Sequence, residues 1–161
     1  MAIWQFDVLI APREPIRLLT AAGSDELPGD AVESTSFWIG HQLPAAYEHQ
    51  LEAILPWSPS WDPEWTLFGS EDGTRVDIIS DEGRRDEVKL RVDARTIEPE
   101  LIERLMDFFH AVDCVLITPS GRVVDPDPMA FWVELQMSSA MAFVRDPSGH
   151  LGRFQRRRDR E

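Results

Sequence analysis

A single cysteine, Cys114, and a single lysine, Lys89, are the most restrictive features of this 161-residue chain. One cysteine excludes an intrachain disulfide and a four-cysteine zinc site, which suits a reducing compartment. One lysine, between Val88 and Leu90, leaves no Gly-Lys-Ser/Thr phosphate loop. No Gly-x-Ser-x-Gly nucleophile elbow and no His-Glu-x-x-His zinc helix occur, and neither Gly73 nor Gly83 is preceded by the acids of a calcium loop. His41, His49, His110 and His150 are scattered, and His110 falls where a helix C-terminal role is ordinary. No apolar run approaches the roughly 20 residues of a membrane span. The start, Met1-Ala2-Ile3-Trp4-Gln5-Phe6-Asp7, lacks the basic n-region of a signal peptide. The expectation is a cytoplasmic protein with no cofactor, no bound metal and no membrane partner.

What the chain has in excess is acid. Its formal net charge is −13, and because Arg153 to Glu161 carries +3, residues 1–152 carry −16. Such a body repels nucleic acid, whose binding depends on cations displacing condensed counterions. It serves solubility, or it steers association with a basic protein. The length fits one domain burying roughly 70% of its unfolded surface. The expected organisation is residues 1–154 as that domain and 155–161 as a basic C-terminal tail with too little apolar area to offset its ordering entropy.

Trp65 to Arg95 reads as three antiparallel strands. Val76 and Ile78, then Val88, Leu90 and Val92, keep a strict period of two, and Asp72-Gly73 signals a hairpin in which Gly supplies positive φ. The intervening positions, Arg75, Asp77, Lys89, Arg91, Asp93 and Arg95, are charged, so this face is expected in solvent. Trp4, Phe6, Val8 and Ile10 predict a first strand ending at Pro12. Residues 21–34, rich in Gly, Ser, Asp, Glu and Pro, predict a surface loop. Tyr47, Leu51, Ile54 and Leu55 share one face of a helix stopped by Pro56. A second helix opens near Pro99 and buries Leu101, Ile102, Leu105, Phe108 and Phe109. Cys114 to Thr118 suits a strand covered on both faces. Asp127-Pro128 caps a third helix, expected to run from Met129 to Phe143 largely buried, with Asp146-Pro147-Ser148 ending it before a short final helix through Leu151 and Phe154. The fold class is α+β: an antiparallel sheet of about five or six strands packed by three helices on one face.

Pro56 to Trp65 places Trp57, Trp61 and Trp65 four residues apart, but Pro59 and Pro63 break a helix into two rigid turns. The indoles either cover a sheet edge or offer exposed anchors of the type that dominates binding hot spots. One catalytic constellation survives: Asp77 on one strand and Glu87-Val88-Lys89 on the next resemble the carboxylate and Glu-x-Lys arrangement of metal-dependent restriction-like nucleases. Parity puts Asp77, Glu87 and Lys89 on one face. A ladder of cross-strand ion pairs has the same alternation.

The succession Trp38-Ile39-Gly40, Leu43-Pro44 with Tyr47, Leu55-Pro56-Trp57, Ser60-Trp61, Phe68 to Gly73 with Arg75 to Ile78, Val88 to Arg95, Asp113-Cys114 and Ser139 to Pro147 resembles a group of small bacterial proteins of unassigned activity. These are similar to the immunity proteins that neutralise toxin domains of contact-dependent and secreted polymorphic toxin systems. The resemblance covers most of residues 38–147; it transfers no catalytic residue and leaves 21–34 unmatched. It implies a non-enzymatic antitoxin that binds a basic toxin domain. The acidic residues Glu71, Asp72, Asp77, Asp81, Glu82, Asp86 and Glu87 would pair with the toxin's cations, and Trp57 or Trp61 would supply apolar anchoring. The competing readings are a metal-dependent phosphodiesterase using Asp77, Glu87 and Lys89, and a structural subunit of a stable assembly.

Overall fold

Strict alternation builds the centre of the sheet. The computed structural model describes residues 2–20, 24–34, 36–82 and 84–149, and the side chains of 33, 34 and 84–86 fall outside that description. The tail 155–161, with Leu151 and Phe154, also lies outside the described residues. Strand β1, Gln5–Pro12, sends Phe6, Val8 and Ile10 to one face, all buried, and runs directly into helix α1, Arg13–Leu19. A short helix α2, Ala31–Ser34, and α3, Tyr47–Glu52, precede the edge strand β2, Trp57–Ser58. The three expected central strands are β3, Trp65–Gly69, β4, Arg75–Asp81, and β5, Arg84–Asp93. Helix α4, Pro99–Ala111, leads to β6, Cys114–Ile117, and β7, Val123–Val124; α5, Pro128–Met137, and α6, Ser139–Arg145, follow.

All seven strands pair antiparallel in the order β2-β3-β4-β5-β1-β6-β7. The hairpin register is the one parity demands, with Val76 opposite Leu90 and Ile78 opposite Val88. A bulge between Ile79 and Ser80 leaves Asp86 without a cross-strand partner on the way to the turn.

Each face of the sheet has its own core. On one, Phe6, Val8, Ile10, Val76, Ile78, Val88, Leu90 and Leu116 pack against Leu51 of α3, five buried residues of α4, Phe131 and Leu135 of α5 and Met141 of α6. On the other, Ala11, Val115 and Ile117 pack against Ile16 of α1, Leu27, Ala31 of α2 and Phe37. The α+β architecture is as expected, with more elements than anticipated: seven strands and six helices among the described residues, and helical cover on both faces. None of those helices is long and apolar enough to cross a membrane.

Three local expectations are corrected. Residues 24–34 are not simply a surface loop. Leu27 and Ala31 are buried, and the backbone runs beside the β6–β7 turn through Leu27 N–H to Gly121 O at 2.9 Å and Val123 N–H to Asp25 O at 2.6 Å. The third helix is broken at Ser138, whose hydroxyl donates to Leu135 O and accepts from Met141 N–H, closing α5 and capping α6 at once. It is not largely buried either, since Met129, Trp132, Val133 and Met137 are exposed. Finally, the left-handed glycine of the β3–β4 hairpin is Gly69, at φ +109°, and not Gly73, whose N–H simply closes a turn onto Ser70 O. A Cβ on Gly69 would sit 2.4 Å from Thr74 O.

Two stability outcomes follow. Gly69→Ala should cost about 1–3 kcal/mol or more, from backbone strain plus that clash, while Gly73→Ala, whose Cβ would meet only Ser70 side-chain atoms at 3.3–3.4 Å, should be near neutral; equal denaturant midpoints would refute the assignment. Leu90→Ala, at a fully buried position, should cost about 2–5 kcal/mol.

Candidate interaction surface

The second face of β3, β4 and β5 is ionic. Register sets Leu67 opposite Asp77 opposite Lys89, and Arg75 opposite Arg91 opposite Asp7. Two guanidinium groups side by side need counter-charges, and each has one. Arg91 donates from Nε and Nη2 to the two oxygens of Asp7 at 2.9 and 3.0 Å, a bidentate pair that holds Arg91 more firmly protonated than usual. Arg75 donates from Nε to Asp77 Oδ2 at 3.1 Å and from Nη1 to Glu71 O at 3.0 Å. The Trp65 indole donates to Asp77 Oδ1 at 3.0 Å, and its ring centre lies 5.5 Å from the Arg75 guanidinium carbon.

This arrangement corrects the expected solvent exposure. The parity is right, but Arg75, Asp77 and Asp93 are buried, because Trp65 lies over the Arg75–Asp77 pair and Arg95 is drawn onto Asp93. Asp77 therefore does not present a carboxylate to a partner. Asp77, Glu87 and Lys89 do share a face, with Glu87 Oε1 2.9 Å from Lys89 Nζ. Both Asp77 oxygens are already engaged, however, and no group of three potential ligands for a metal ion occurs among the described residues. The arrangement is a neutralised ion network, with no open pair of carboxylates for phosphoryl chemistry.

The remaining candidates divide between two ends of the sheet. Glu71 and Asp72 lie in the β3–β4 turn, and Asp81 and Glu82 in the β4–β5 turn, separated by the length of β4, about 20 Å at the usual rise per residue. Both pairs are exposed; the side chain of Asp86 lies outside the described residues. The tryptophans divide in the same way. Trp57 pairs with Phe68 and so belongs to the helix-covered face at the sheet edge, 54% exposed. Trp61 stacks edge-on against Trp65, with centroids 6.3 Å apart, on the ionic face, and is 86% exposed.

The Trp61 end is held by its own hydrogen bonds. Asp62 Oδ1 accepts from Glu64 N–H at 2.9 Å, and Trp65 N–H donates to Asp62 O at 3.1 Å, so the Asp62-Pro63 turn is self-capped. Ser80 N–H donates to Glu64 O, and Glu82 N–H to the Glu64 carboxylate at 3.1 Å, which ties this turn to the Asp81-Glu82 turn. Glu82 holds a left-handed φ of 48° there. Trp61 thus shares a turn region with Glu64, whose carboxylate and carbonyl bond the turn that carries Asp81 and Glu82. Sequence reading missed Glu64; its place in the same proline-bounded turn as Trp61 was the available signal.

At the other end Asp93 organises the Glu71-Asp72 turn. Arg95 donates to its carboxylate from Nε at 2.9 Å, from Nη2 at 2.7 Å and from its backbone N–H at 2.9 Å, and Nη2 reaches Asp72 O at 3.3 Å. The same guanidinium lies 4.4 Å from the Trp4 ring centre. The Arg95 hydrogen bonds hold the Asp93 carboxyl below the usual carboxylate range. No family model, no curated protein and no solved structure matches this chain.

Asp93 yields a pH prediction. Because its folded value is depressed, its stabilisation is present above the unfolded value of about 3.9 and is lost as pH falls through the lower folded value. Asp93→Asn should destabilise the protein at pH 7 and flatten the stability profile below about pH 5; an unchanged acid-unfolding curve would contradict it. Asp77→Ala leaves Arg75 buried without its counter-charge and should cost about 3–5 kcal/mol, well beyond the roughly 0.5 of a surface change.

Proposed function

We propose that this protein is a non-enzymatic, cytoplasmic immunity-type protein that captures a basic toxin domain through the end of the sheet that carries Trp61. The observation that supports this most directly is an indole 86% exposed on a self-capped turn that Glu64 ties to the turn of Asp81 and Glu82, in a chain of net charge −13. A large apolar ring left in water gains free energy when a partner covers it, and tryptophan is the residue type most often found at such anchors. The carboxylates of these turns attract cations over a Debye length of about 8 Å at physiological salt, so they accelerate encounter while the ring supplies residence time. Trp57, with Glu71 and Asp72, forms a second, smaller acidic and aromatic site for the same partner. Asp77 acts from beneath, neutralising Arg75 and orienting Trp65, against which Trp61 stacks.

The test is association with any toxin-like domain that a neighbouring gene encodes. Trp61→Ala should weaken binding at least tenfold, mainly through faster dissociation, and Asp81→Lys with Glu82→Lys should slow association about tenfold and reduce its salt dependence. Both variants should keep the melting temperature within about 5 °C. A neighbouring toxin that binds all forms equally would dispose of this surface. Magnesium-dependent nucleic-acid cleavage that is lost in Asp77→Asn would replace the reading with the phosphodiesterase one.

A further inference from the structure

Helix α5 is apolar on both sides, and only one side is covered. Phe131 and Leu135 are buried in the helix-side core, while Met129, Trp132, Val133 and Met137 are 70%, 37%, 50% and 75% exposed. Spacings of three, four and eight residues place these four along one stripe. The one charged residue of α5, Glu134, is paired to Arg122 at 3.0 Å and only 13% exposed, so the stripe is uncharged in a strongly acidic protein. Against its N-terminal end opens a cleft of about 570 Å³ whose titratable walls are Arg13, Asp107, His110, Asp113, Asp125 and Asp127. Arg13 bridges Asp113 and Asp125, which shows that these walls accept a guanidinium and leaves the cleft acidic even with that cation in place.

The chemistry of the occupant follows from these two features together. A second copy fits poorly, because each copy brings a charge of −13 and the two repel. An anionic surface is excluded by the same charge. A segment with an apolar face for the stripe and cations for the cleft gains from both. We infer that α5 and the adjoining aspartate cleft form a docking groove for a basic amphipathic helix of another protein. The groove lies on the helix-covered side of the sheet, away from Trp61, and does not depend on the function proposed above.

The probe is a fluorescein-labelled 18-residue helix of leucine and lysine at amphipathic spacing, titrated with the full-length protein at 0.15 M salt and read by anisotropy. A peptide of identical composition, scrambled so that its leucines share no face, is the control for charge alone. The ordered peptide should bind at least tenfold tighter than the scrambled one. Val133→Ser with Met137→Ser should remove that advantage, and Asp107→Asn should weaken binding severalfold and reduce its salt dependence. Equal affinity for the two peptides, or an undiminished preference in the serine variant, would overturn the groove. Sedimentation showing a dimer that the serine variant abolishes would assign the stripe to a second copy and overturn it equally.

Discussion

The molecule depends on β1 being held between β5 and β6. The C-terminal half of this strand is apolar on both faces, with Val8 and Ile10 on one and Leu9 and Ala11 on the other. Such a strand is stable only at the centre of a sheet with cover on each side. Its pairing with Leu90 and Val88 on one flank and Ile117 and Leu116 on the other joins the 65–93 hairpins to the C-terminal half. Both cores form at that strand. The larger recruits α3 to α6, and the smaller recruits α1, α2 and the segment through Leu27 and Phe37.

Beyond the smaller core the same sheet face becomes ionic, and this shapes the outer surface. Arg75 and Arg91 stand opposite each other, each neutralised by its own aspartate, with Trp65 closing over the first pair. Removing both charges costs little in principle, whereas removing one strands the other in a low-dielectric setting. The network thus fixes the position of Trp65 and, through the edge-on stack, the presentation of Trp61. Charge in this protein works at two levels: paired and buried within the sheet, exposed and long-ranged at its turns.

Two of the apolar surfaces left open, Trp61 and the α5 stripe, lie on opposite sides of the sheet, each with carboxylates in a neighbouring turn or cleft. Acidity near an apolar patch disfavours self-association, since copies repel before their apolar patches meet. It favours basic partners for the same reason.

Local pattern alone determined the β3–β5 hairpins, the parity that puts Asp77, Glu87 and Lys89 on one face, the proline-opened helices at Pro99 and Pro128, and the buried β6, because period, caps and turn residues act over a few positions. The break at Ser138 was equally local, a serine cap inside an apolar run. Tertiary structure decided the rest. That Asp77 is buried while Trp61 is not depends on where Trp65 lands across the sheet. That Leu27 is covered depends on a strand turn near residue 121. That Met129 to Met137 keeps an open stripe depends on how much helix the sheet could cover. Alternation records which residues share a face; only the packing of distant segments determines whether that face meets water.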